Sequence, residues 1–232
     1  MGSNTFADRA DKFVAQHEKL IAPLERSVNL AWWDANVTGK DEAFQKKEAA
    51  QNAYDHALSD KTRFTELKAI REGLAKDASA LLRRHIDVLY LTYLEKQLDA
   101  ELLKKITAKA NEVEKAFNVY RPKVNGRELT DSGIRSILKS SRDSKERQAA
   151  WEASKGVGPL VEKNLKELVL LRNQAAKKLG FANYHELMLF LSEETEEQVT
   201  SLFDELDTLT REPFLAAKKK STRNWRKIPA SR

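Results

Sequence analysis

The chain has 232 residues, 33% of them charged and 41% hydrophobic, with eight glycines, five prolines and no cysteine. Such a length buries a real core, the composition excludes a disordered chain, and the lack of thiols excludes disulfides and thiolate metal sites. Net charge is +6, but seven basic residues and no acid lie between Lys218 and Arg232, which leaves residues 1–217 at −1. The basicity belongs to the tail, so nucleic acid is not an expected partner of the body.

The first residues, MGSNTFADRADKFVAQHEKL, hold no apolar signal core, and no window approaches the roughly 18 apolar residues of a membrane span. No membrane partner is expected, and a cytoplasmic location is the default.

The pattern predicts an all-α fold, a bundle of long helices. Thr5 or Asn4 can cap a first helix through Phe13, Leu20, Leu24 and Val28, with Pro23 as a possible kink and Gly39 at its end. A second helix is predicted from about Asp41 to Leu58, and a third from about Lys61 until Gly73 stops it. From there to Pro122 no glycine or proline interrupts apolar residues spaced by three and four, among them Ile86, Tyr93, Leu102 and Ile106. This predicts one long helix, bent or broken once near Gln97 to Ala100.

Asn125-Gly126, in the interval 119–129, is the one hairpin signal, because both residues tolerate the positive φ of a type I′ turn. Helices resume behind Thr130 or Asp131 and behind Asp143 or Ser144. A further helix with Pro159 in its first turn ends at Gly180, its predicted buried stripe being Val161, Leu165, Leu168, Leu171, Ala175 and Leu179. Asn183 with Glu186, and Thr195 with Gln198, mark two more helix starts of the capping-box kind. One domain is expected over residues 1–217, followed by a basic tail, 218–232.

Two motifs carry a resemblance. Ala31-Trp32-Trp33-Asp34-Ala35-Asn36-Val37-Thr38 contains a Trp-x-x-Asn-x-Thr run, and Trp151-Glu152 is followed by Lys155, Val157-Gly158, Leu171, Asn173, Ala175-Ala176 and Gly180-Phe181. In order and spacing they resemble the angiotensin-converting-enzyme-like peptidyl-dipeptidases, mostly helical zinc peptidases of the gluzincin type. The likeness runs over about residues 5–217 and answers to the N-terminal third or so of a full-length relative. It implies lid helices and part of a channel wall. In a full-length relative zinc sits on H-E-x-x-H plus a later glutamate and serves the release of C-terminal dipeptides from a peptide substrate. Some relatives also bind chloride through an arginine at the place that Lys155 holds here. Lysine supplies the charge without the guanidinium fork, so Lys155 is the one candidate anion-binding residue, beside the simpler reading of a surface lysine.

The zinc chemistry itself is not legible in the chain. His185-Glu186 begins an H-E-x-x-H pattern, but Leu189 stands where the second histidine belongs. A pair of histidines one turn apart is what that site requires, and His17, His56, His85 and His185 fall on four predicted helices. No catalytic residue, metal ligand or resident cofactor is assigned. Glu193, Glu194, Glu196 and Glu197 could be read as a cation site or paired catalytic carboxylates, but they suit the positive end of a helix dipole; Trp32 and Trp33 are expected in the core, with the lining of a substrate channel as the alternative.

The tail sets basic residues around Trp225, a pattern that can grip phosphates and stack a base. Another explanation is a shifted reading frame. Lys220 to Lys227 back-translated as AAA TCG ACG AGG AAC TGG CGG AAA reads, in another frame, Ile-Asp-Glu-Glu-Leu-Ala-Glu, an acidic amphipathic helix. The expectation is therefore a truncated, inactive N-terminal region of a zinc peptidyl-dipeptidase with a non-native or disordered tail. The alternative is a non-catalytic helical binding module that uses the basic tail.

Overall fold

The computed structural model describes residues 5–75 and 78–225. Asn4, offered above as a cap, and residues 226–232 of the tail lie outside the described residues. The first helix, α1 (Phe6–Thr38), opens with a capping box: Thr5 accepts from the Asp8 N–H, and Asp8 accepts from the Thr5 N–H at 3.0 Å. Gly39, in the left-handed region at φ +67°, ends it and donates to the Ala35 carbonyl. A two-residue turn then returns the chain as α2 (Asp41–Leu58). Helix α3 (Lys61–Gly73) is capped by Asp60, which accepts from the Thr62 and Arg63 N–H groups. At Gly73 a side chain would run into the Phe6 ring, so α1 and α3 can approach only because nothing is there.

The long apolar run is broken once, as its spacing predicts, into α4 (Ala80–Glu95) and α5 (Ala100–Val119). Asp99 caps α5 by accepting from the Leu102 N–H at 2.9 Å, and Gln97 ties the break to α2 through the Leu58 carbonyl at 2.9 Å. The hairpin follows at the place expected: β1 (Lys123–Val124) pairs antiparallel with β2 (Arg127–Glu128), and Asn125 and Gly126 take φ +50° and +79°. After it come α6 (Asp131–Ser140), α7 (Ser144–Lys155), α8 (Val157–Lys178), α9 (Tyr184–Leu191) and α10 (Glu196–Trp225).

Four apolar clusters hold these elements, the smallest being Ala35 of α1 with Ala43 and Phe44 of α2. Phe13, Ile21, Leu58, Leu67, Ile70, Ile86 and Tyr93 join α1 to α4 in the largest, each side chain worth roughly 1.5–3 kcal/mol over its exposed state. Leu98, Leu102 and Leu103 meet Ala175, which sets α5 against α8. Val124, Ile134 and Ala150 seat the hairpin on α6 and α7. Helix α5 packs on α2 and on α8 and so links the two halves of the bundle.

Two expectations about burial are corrected. Trp32 and Trp33 are exposed, at 47% and 65%, because at this end of α1 the fully buried Ala35 makes the contact with Ala43 and Phe44 of α2. Small residues let the two helices approach closely, and the tryptophans fall outside that contact. Leu165 is exposed at 44% as well, whereas Leu168 and Ala175 of the same stripe are buried. Helix α8 meets α5 along a narrower strip than its sequence shows. The expected boundary after Ala217 carries no break in secondary structure: α10 runs on through Lys218, Lys219 and Lys220 to Trp225.

Candidate functional site

A cleft of about 320 Å³ opens between α2, α5, α8 and α9, with Trp32 at its rim. Its floor is a network of charges. Glu114 of α5 pairs with Lys47 of α2 and accepts from the Asn36 side chain at 3.0 Å. Asn36 also donates to the Trp32 carbonyl at 2.9 Å and accepts from Asn118 at 2.9 Å. Thr38 closes the turn by donating to the Asp34 carbonyl at 2.7 Å. Asn36 of the Trp-x-x-Asn-x-Thr run thus fixes the end of α1 to α5, while Thr38 bonds back onto α1.

Burial alone would push the Glu114 carboxyl up, but hydrogen bonds from Lys47, Asn36 and Trp32, with the Lys47 charge, hold it below the ordinary glutamate range. A carboxylate so engaged stays ionised and does not shuttle protons near neutrality. Asn111, also buried, donates to the Phe44 carbonyl at 3.2 Å and accepts from Lys47 at 3.3 Å. Deeper in, Asp55 accepts from Thr107 at 3.1 Å and Gln51 at 3.0 Å, and pairs with Lys96 at 3.2 Å. Burial pulls the Lys96 ammonium down; Glu95 and Asp55 outweigh it and hold the group above its ordinary value. On the far wall the Arg172 guanidinium lies 5.1 Å from the Tyr184 ring centre. The cleft's charges position helices.

The second motif has the same character. Asn173 accepts the Tyr184 N–H at 2.9 Å and so fixes the turn from α8 into α9. Glu152 accepts from Gln148 at 2.7 Å. Lys155, the candidate anion ligand, is exposed in the last turn of α7, its ammonium 5.2 Å from the Trp151 ring centre. A cation over an indole is held there without a carboxylate.

His185 is exposed, and Glu186 accepts from the Ala182 N–H at 2.6 Å while Asn183 accepts from the Glu186 N–H, a helix start. His17 stands 3.3 Å from the Tyr93 hydroxyl, its pKa lowered by burial and then by Arg63. His56 and His85 are exposed on α2 and α4. Among the described residues no group of three His, Asp or Glu side chains converges, so these residues do not fit a zinc ion. Glu193 and Glu194 precede α10, Glu196 and Glu197 form its first turn, and Glu193 pairs with Arg84 of α4.

The sequence patterns did not single out Lys47, Asp55, Lys96 or Glu114. The available signal was a charge set one turn from buried residues, as Asp55 is set against Leu58.

The fold and cleft define a class: a helical scaffold whose motif residues clamp helix ends around a charged groove. The model of the angiotensin-converting enzyme family, peptidase M2, matches residues 4–215, and the chain belongs to that family of zinc metallopeptidases. No curated protein matches it. Among the described residues no helix is long and apolar enough to cross a membrane.

Proposed function

We propose that this chain forms the lid and part of the channel wall of a zinc-dependent peptidyl-dipeptidase and does not cleave peptides alone. On this reading the zinc ligands come from sequence outside residues 1–232, and the peptide substrate is bound only when both parts meet. The observation that carries it is apolar surface turned outward on helices already packed on their other side. Trp33 at the end of α1, and Leu160, Leu165, Val169 and Leu170 along α8, are all exposed. Apolar surface of this kind marks an interaction face rather than a solvated one.

This chain's own residues would supply shape and electrostatics. The Trp32–Asn36–Glu114 clasp holds the lid helix in register with the wall, and Lys96 with Asp55 keeps the break between α4 and α5 rigid. The test is a C-terminally free, N-terminally blocked tripeptide incubated with the purified chain and zinc. No dipeptide is expected above the protein-free control, and zinc-dependent release abolished by a chelator would overturn the proposal.

A further inference from the structure

His17 of α1 and Arg63 of α3 meet on one atom of α4. The His17 Nδ1 and the Arg63 Nε each lie 3.3 Å from the hydroxyl oxygen of Tyr93, a fully buried residue. A guanidinium can only donate, so the Tyr93 oxygen accepts from Arg63 and its own proton is left for the His17 Nδ1. That arrangement requires a neutral imidazole with its hydrogen on Nε2. Tyr93 also packs on Phe13, and the Arg63 guanidinium lies 5.1 Å from the Phe13 ring centre. The shared hydroxyl therefore sits where α1, α3 and α4 converge.

We propose that His17 is a pH-sensitive latch: once protonated it no longer accepts from Tyr93, and it releases the N-terminal half of α1 from α3 and α4. An imidazolium there would face the Tyr93 oxygen with a second donor, leave the buried phenolic proton without an acceptor, and set a second cation beside Arg63. Among the described residues, the charges that bear on the ring are Arg63 of α3 and the exposed Glu18 of its own helix; α4 contributes the Tyr93 hydroxyl, and no charged group of α2 is among them. Asp60, where α3 begins, is already engaged by the Thr62 and Arg63 N–H groups. The Arg63 Nη2 is itself buried without a partner among the described residues, so no acceptor is held in reserve there. Burial first, and then Arg63, lowers the His17 pKa in the folded chain. The contribution of the latch is thus fully present above the ordinary histidine value, about pH 6.5, and is lost as pH falls from there through the lower folded value. The latch stands on this geometry. Its consequence, a lid loosened by acid, rests on the role proposed above, which the tripeptide assay tests separately.

Two measurements on the full chain decide it. Imidazole nitrogen NMR spectra should show His17 as the Nε2–H tautomer at about pH 7.5, titrating below the exposed His85 of the same chain. Hydrogen exchange read by mass spectrometry and corrected for intrinsic rates should show protection in the first half of α1 falling between about pH 7 and about pH 5, while α8 holds. The fall should reach at most roughly tenfold per pH unit, the limit for one proton. His17→Gln keeps an acceptor for Tyr93 without a titrating group, and should hold the α1 protection constant over the same range. A protonated ring or an Nδ1–H tautomer at neutral pH, a His17 pKa at or above that of His85, or an α1 pH course that His17→Gln leaves unchanged would each overturn the proposal.

Discussion

Asp55 is a carboxylate placed where an apolar residue belongs. It lies one helical turn before the fully buried Leu58, its side chain is 5% exposed, and its partners Lys96 and Thr107 come from beyond α4 and from α5. Two charges removed from water together are tolerable; one alone is not. Asp55→Leu should therefore cost about 3 kcal/mol, because it leaves the Lys96 ammonium buried with only Glu95 beside it. The double variant Asp55→Leu/Lys96→Met should recover most of that loss. Urea unfolding of the four proteins in the cycle gives the coupling directly. If the two single costs simply add, the pair does not act as a unit.

At the scale of elements, the clasp from α1 to α5 makes packing depend on one ionised carboxylate. Glu114 has its pKa depressed in the folded chain, so its contribution is fully present above the ordinary glutamate value, about pH 4.3, and is lost as pH falls through the lower folded value. Glu114→Gln should lower the urea midpoint most at neutral pH, and the gap to the parent should close as pH drops below about 4. A gap that stays constant with pH would mean that the hydrogen bonds, not the charge, hold the clasp. Helix ends were the legible part of this fold, since Thr5, Thr130, Asp143, Asn183 and Thr195 announce themselves through local chemistry. Burial was less legible. The exposure of Trp32 and Trp33 depends on how closely Ala35 lets α2 approach, and that distance is set by residues far away in sequence. The clasp stayed hidden for the same reason: Asn36 reads as an ordinary helix residue until α5 brings Glu114 to it.

At the scale of the molecule, the four histidines decide what metal can do. They sit on α1, α2, α4 and α9, and among the described residues only His17 is tied to another side chain, the Tyr93 hydroxyl. A metal that binds the folded state and not the unfolded one raises stability by RT ln(1 + [L]/Kd), about 2.7 kcal/mol at a hundredfold excess over Kd. A shift of that size moves a melting midpoint by several degrees and is easily read by calorimetry. With no converging ligands in the described residues, zinc in excess should leave the melting midpoint of this chain where a chelator leaves it. A zinc-dependent rise, reversed by the chelator, would place a metal site within these helices and would oblige the catalytic centre of the family to be sought here.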